Sequence, residues 1–209
     1  MSVNKETLLN IIKCMQKNIT ENREYLSDLD REIGDGDHGI NMDRGFQEVM
    51  KKMDEMENQD LAGILRTTGM TLAFKVGGAS GPLYGTAFMK ASDVLKGKEE
   101  IVIADLPALL EAGIGGIQMR GKAEQYEKTM LDALIPAKNA LEEALANGSS
   151  SEEAIKAMLD ACEAGTEYTK TIKATKGRAS YIGERSIGHM DPGAASSLVL
   201  LRSIAEVIK

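Results

Sequence analysis

The chain has 209 residues, 43% of them hydrophobic and 27% charged, enough for one domain with a real core, 1–209. Its net charge of −7 lacks the basic footprint that nucleic acid requires and disfavours anionic membrane surfaces, but it leaves room for a nucleotide whose phosphates rest on metal ions. No secretory leader is visible and no apolar run nears 18 residues, so the sequence reads as cytoplasmic, with no membrane partner.

The periodicity is helical almost throughout. Leu8, Ile11, Ile12, Met15 and Ile19 form one apolar stripe, predicting a helix from about Asn4 into the mid-twenties. An acidic loop follows, then a second stripe of Phe46, Val49, Met50 and Met53. Asp60 reads as the N-cap of a third helix carrying Leu61, Ile64, Leu65, Leu72 and Val76. After the glycine-rich turn Gly77 to Gly81, Pro82 fits the first position of a fourth helix. Ile101-Val102-Ile103 is strand-like but too short and isolated to build a sheet.

Asp105 and Pro107 open a fifth helix ending near Gly121, and Thr129 starts a sixth that Pro136 should kink. Gly148 reads as a helix end, Ser150 with Glu153 as the capping box of a seventh helix, and Asp191-Pro192 as the start of an eighth. The expectation is an all-α domain of eight helices with no sheet. Cys14 and Cys162 lie far apart inside helical patterns and read as reduced, buried thiols. Twelve methionines and 4% aromatics imply an aliphatic, adaptable core. The longest connections, Arg120–Lys128 and Lys173–His189, are long enough to suggest function.

The densest chemistry lies in Asp30 to Gly39, where ten positions hold three aspartates, three glycines and one of the two histidines. Two unit charges about 4 Å apart cost roughly 4 kcal/mol at an effective dielectric of about 20, so crowded carboxylates need a cation. Oxygen ligands on a turn suit Mg²⁺ or Ca²⁺. Asp35 and Asp37, two apart, would point the same way from an extended segment, with Asp30 reaching over from the preceding helix. The amides that open the next helix would face a phosphate, with His38 and Asn41 beside them.

Gly34, Gly36 and Gly39 spell G-x-G-x-x-G, but no strand precedes them and two aspartates would repel bare pyrophosphate. An EF-hand fails because position twelve is Phe46 or Asn41 rather than Glu. A Walker reading of Gly116 to Lys122 fails because Ala123 replaces the Mg²⁺-binding hydroxyl and no strand precedes it. Gly77 to Gly81 and the basic segment Lys170, Lys173, Lys176 and Arg178 are second candidates for anion contact.

These residues resemble a known family. Leu29-Asp30-x-x-Ile33-Gly34-Asp35-Gly36-Asp37-His38-Gly39-x-Asn41-Met42 is similar to the signature of the L subunits of bacterial dihydroxyacetone kinases. Gly77 to Gly85, Ala174 to Ser186 and His189-x-Asp191-Pro192-Gly193 resemble further motifs of that family, in order.

The resemblance implies a barrel of eight antiparallel helices with a nucleotide site at one end. Two Mg²⁺ ions would be held by Asp30, Asp35 and Asp37. ADP or ATP would be contacted by His38, Gly39, Ile40, Asn41, Ala79, Ser80, Gly121, Met130, Arg178, Asp191, Pro192 and Gly193. The substrate domain of single-chain, ATP-dependent members has no counterpart here, so the resemblance points to the stand-alone form. That form implies a K subunit holding dihydroxyacetone and an M subunit carrying phosphohistidine derived from phosphoenolpyruvate. Bound ADP would be phosphorylated in place, no residue of this chain would act as nucleophile, and the subunit would be inactive alone. Two other readings are a regulatory module acting on a transcription factor and the nucleotide domain of a fatty-acid kinase, in which the similar domain opens a longer chain.

Overall fold

The computed structural model describes residues 2–208. The first helix, α1 (Lys5–Glu21), is capped by Asn4, whose Oδ1 accepts from the Thr7 amide at 2.9 Å, and it buries the expected apolar stripe. The helix does not run on into the mid-twenties. At Asn22 the side-chain amide donates to the Asn18 carbonyl at 2.8 Å and the chain turns off the helical path. An asparagine that satisfies the backbone locally competes with the helix in this way. α2 (Arg23–Ile33) starts anew and packs on α3 (His38–Met50) and on the last helix, α10 (Pro192–Val207). This break turns the eight expected helices into nine of eleven residues or more, with a single extra turn, α4 (Met53–Met56), among the described residues.

α5 (Leu61–Lys75) starts at Asp60, whose Oδ1 accepts from the Gly63 amide at 2.7 Å. α6 (Ser80–Val94) begins two residues before Pro82, not at it. The ring still falls within the first turn, where an amide has no partner inside the helix. The expectation of no sheet fails at one point. Ile101–Val102 (β2) pairs antiparallel with Ser2–Val3 (β1), with Val3 opposite Ile101 and both buried. Two residues per strand make this a clasp on the amino terminus rather than a layer.

α7 (Leu106–Gly121) occupies its expected place, and α8 (Leu131–Ala146) runs on through Pro136. Proline lacks an N–H, so the Asp132 carbonyl, four residues back, loses its helical donor. The next helix, α9 (Ser151–Tyr168), crosses there at Gly165, where an added Cβ would overlap that carbonyl oxygen. α9 opens on the Ser150–Glu153 capping box: the Glu153 carboxylate accepts from the Ser150 amide at 2.8 Å and Ser150 Oγ accepts from the Glu153 amide at 3.2 Å.

Packing contacts pass from α1 to α3, α5, α6, α7, α8, α9, α10 and back to α1. Aliphatic side chains fill the interior, with Phe46 and Met42 fully buried under α3 and Cys162 sealed within α9. Among the described residues, no helix is long and apolar enough to cross a membrane.

The α8–α9 crossing gives a stability test. Gly165→Ala should cost about 2 kcal/mol or more, because a backbone oxygen cannot yield as a flexible side chain can. Gly115→Ala on α7 meets nothing within 4 Å, and should be stabilising by about 0.5–1 kcal/mol. Urea denaturation of the two variants checks both signs.

Candidate functional site

The acidic loop joins α2 to α3. Asp30, in the last turn of α2, is 8% exposed, and its Oδ2 accepts from the amides of Asp37 (2.9 Å) and His38 (3.1 Å). Asp37 stands at the N-cap position of α3 but makes no capping bond, so the cap comes from the preceding helix. The segment between is not extended. Gly36 sits at φ +74°, in the left-handed region, and folds the loop back on itself. One oxygen from each of Asp30, Asp35 and Asp37 consequently lies within 4.8 Å of the others.

Arg178 Nη1 stands 2.8 Å from Asp35 Oδ2. Burial, together with the charges of Asp37 and Asp30, nevertheless pushes the Asp35 carboxyl above the usual carboxylate range, against the pull of Arg178. One arginine therefore does not neutralise the cluster.

The cluster forms one wall of a cavity of about 370 Å³. It gathers residues from six distant segments: Asp30, Asp35, Asp37, His38 and Asn41; Ala79 and Ser80; Gly121; Met130; Arg178; and Asp191, Pro192 and Gly193. Gly39 and Ile40 do not line it. Gly39 is pressed so closely against α2 that a Cβ would collide with the Arg23 carbonyl, and Ile40 faces solvent at 46% exposure. Of the basic segment, Lys176 and Arg178 reach the cavity, while Lys170 and Lys173 pair with Glu167 and Glu184.

His38 lines the cavity, but both ring nitrogens are engaged by hydroxyls: Nδ1 with Ser80 Oγ at 3.1 Å and Nε2 with Ser196 Oγ at 2.8 Å. Burial lowers its pKa to about 4, so the imidazole is neutral. Asn41 Oδ1 accepts from Arg44 at 2.7 Å. Asp191 caps α10 by accepting from the Ala194 amide at 2.7 Å, and burial raises its carboxyl to about 7.

Sequence reasoning missed Lys128. This fully buried lysine lines the cavity, sits at φ +61°, and donates through Nζ to the carbonyls of Thr169 (2.5 Å) and His189. Its loop also places Lys122 and Tyr126 at positive φ. Three non-glycine residues in this conformation mark a connection held by its surroundings. Asp132 anchors that connection by accepting from the amides of Thr129 (2.7 Å) and Tyr126. The unusual length of the loop was the available signal. A lysine capped by two carbonyls leaves no pattern of its own.

His38 makes stability depend on pH. Its pKa is 6.5 when unperturbed and about 4 in the fold, so between those values the unfolded chain binds the proton and the native chain does not. Stability from this group is therefore full above pH 6.5 and falls as pH drops toward 4. Comparing wild type with His38→Gln by urea denaturation, the His38-dependent part should be about 2 kcal/mol smaller at pH 5 than at pH 7.

Residues 32–206 match the DAK2 domain family. The chain is 47% identical, over 99% of its length and 98% of the relative's, to PEP-dependent dihydroxyacetone kinase 1, ADP-binding subunit DhaL, of Listeria innocua. It is 41% identical, over the full length of both, to the PEP-dependent dihydroxyacetone kinase ADP-binding subunit DhaL of Escherichia coli. Among solved structures, the dihydroxyacetone kinase of C. freundii in complex with AMP-PNP and Mg²⁺ aligns with a TM-score of 0.70 and 26% identity. That alignment covers 95% of this chain and 33% of the larger one. The chain thus belongs to the DAK2 domain family, and the ADP-binding subunits of dihydroxyacetone kinases match it across nearly its whole length.

Proposed function

We propose that the chain is the ADP-binding subunit of a phosphoenolpyruvate-dependent dihydroxyacetone kinase. It would keep an adenine nucleotide and two Mg²⁺ ions as resident cofactors. It would relay a phosphoryl group from a phosphohistidine-carrying M subunit to dihydroxyacetone held by a K subunit, and would be inactive alone. In this reading the closed circuit of helices is an eight-helix barrel with the nucleotide at one end.

The observation that carries the proposal is the convergence of Asp30, Asp35 and Asp37 on one wall of a cavity whose remaining lining mixes polar, basic and apolar side chains. Three carboxylate oxygens within 4.8 Å are a hard-cation donor set, and Arg178 alone leaves them under-neutralised. Leu83, Ile117, Ala123 and Met130 line the same cavity and offer the apolar contact that a nucleotide base needs. The names of the DhaL relatives and the AMP-PNP and Mg²⁺ in the related kinase point the same way.

The metal ions would supply charge neutralisation and polarisation of phosphoryl oxygens. The chain's own residues would orient and exclude. Asp30 is fixed by two amides and cannot turn away from the site. Arg178, at the cavity edge, brings positive charge to a developing phosphoryl anion. Ser80, at the start of α6, offers a hydroxyl to an anion beside the first amides of that helix. A regulatory module acting on a transcription factor would use the same cavity, and recovery of a regulator without a K-type subunit in pull-downs would favour it.

Asp35→Asn removes one metal-directed charge and should release the nucleotide. Native mass spectrometry is expected to show ADP on the wild type and apo-protein for the variant. ADP retained at wild-type occupancy would overturn the metal-bridged reading. Wild-type protein given ATP and dihydroxyacetone alone should form no dihydroxyacetone phosphate.

A further inference from the structure

Running inward from the cavity wall, a chain of three hydroxyls and one imidazole, buried except at Ser80, joins α6, α3 and α10. Ser80 Oγ lies 3.1 Å from His38 Nδ1, His38 Nε2 lies 2.8 Å from Ser196 Oγ, and Ser196 Oγ lies 2.7 Å from Tyr84 Oη. Tyr84 and Ser196 are buried. Tyr84 Oη also meets Ser197 Oγ at 2.8 Å and the Gly193 carbonyl at 3.0 Å, and that carbonyl accepts from Ser197 Oγ at 2.9 Å. Of these residues Ser80, His38 and Gly193 belong to the nucleotide reading above; Tyr84, Ser196 and Ser197 do not line the cavity.

A neutral imidazole has one N–H and one bare nitrogen. His38 is buried with a hydroxyl on each nitrogen and a carboxylate on neither, so the neutral form is the one its surroundings favour. One of its two hydrogen bonds must then leave the ring and the other must enter it, which gives the whole chain a direction. If the chain runs inward, Ser80 gives its hydrogen to Nδ1 and turns only lone pairs to the cavity. An anionic oxygen at Ser80 would then meet no donor. If the chain runs outward, Tyr84 donates to Ser196, Ser196 to Nε2, and Nδ1–H to Ser80. The Ser80 hydrogen is then free for the anion. Ser196 Oγ also lies 3.1 Å from the Gly193 carbonyl, but Ser197 satisfies that carbonyl in either case at 2.9 Å, which leaves the Ser196 hydrogen for the closer Nε2 at 2.8 Å.

We propose that Tyr84 and Ser196 are positioning residues for the anion held at Ser80, acting through a hydrogen-bond chain that runs from Tyr84 by way of Ser196 and His38 to Ser80. The inference rests on the nucleotide reading of the cavity. Each hydroxyl in the chain both accepts and donates, so each bond polarises the next and strengthens the final donor. No proton is gained or lost. The arrangement fixes only which atom carries each hydrogen, and in the liganded protein His38 carries its proton on Nδ1.

Long-range ¹⁵N–¹H correlation spectra of the full chain with ADP and Mg²⁺ read this directly, since bare and protonated ring nitrogens differ widely in shift. The other histidine, His189, is assigned with His189→Gln. The expected result is Nδ1 protonated and Nε2 bare. Ser196→Ala should weaken ADP binding in calorimetry about tenfold, the loss of one strong hydrogen bond, and Tyr84→Phe should weaken it in the same direction. Nε2 protonated in the ADP-bound protein, or ADP affinity unchanged in both variants while only the melting temperature falls, overturns the proposal. A wild-type protein that binds no ADP at all overturns the nucleotide reading instead.

Discussion

The architecture of the site depends on one carboxylate. Asp30 closes α2, and its Oδ2 takes the first two amides at the start of α3. A carboxylate so placed does two things. It satisfies donors that a helix start leaves open, and it sets negative charge at the positive end of the helix dipole. The same bonds fix Asp30 against the repulsion of Asp35 and Asp37. The tight turn at Gly36 then brings the two other carboxylates within reach. The acidic loop is therefore a cluster of three converging carboxylates whose charge one arginine does not balance.

Around this donor set the cavity is walled by helix beginnings. α3, α6 and α10 all start at its edge, and each start is stitched by buried polar bonds rather than by apolar packing alone. His38 ties α3 to α6 and α10, Tyr84 ties α6 to α10, and Lys128 holds the carbonyls of Thr169 and His189 just before α10. Satisfied networks of this kind hold groups in place, and an unsatisfied member would be costly. The outer circuit of helices is aliphatic and supplies the rigidity on which these networks rest.

Much of this was legible in the sequence because capping is local chemistry. Asp60, the Ser150–Glu153 box and Asp191 announce helix starts within three residues, and the structure places them there. The aspartate cluster was visible from the spacing of Asp30, Asp35 and Asp37 among glycines. The break at Asn22 was not, because the apolar stripe fades there and one asparagine side chain decides the outcome. The β1–β2 clasp pairs segments about a hundred residues apart, and two-residue strands carry no pattern. Lys128, Asp132 and the Ser196–Tyr84 pair were hidden for a related reason. Their roles lie in which distant carbonyl or hydroxyl they meet, and only the closed circuit of helices decides that. His38 shows the limit most plainly. Its place in the motif pointed to the cavity it lines, but not to the two serines that engage its nitrogens.

The central claim is that the three aspartates bind nucleotide only by way of metal. Isothermal titration of wild-type protein with ADP, in excess Mg²⁺ and then with all divalent ions chelated, tests it most directly. The account expects ADP to bind at least about tenfold more tightly with Mg²⁺, the size of a substantial coupling between two ligands. Equal affinity with and without Mg²⁺ would contradict it.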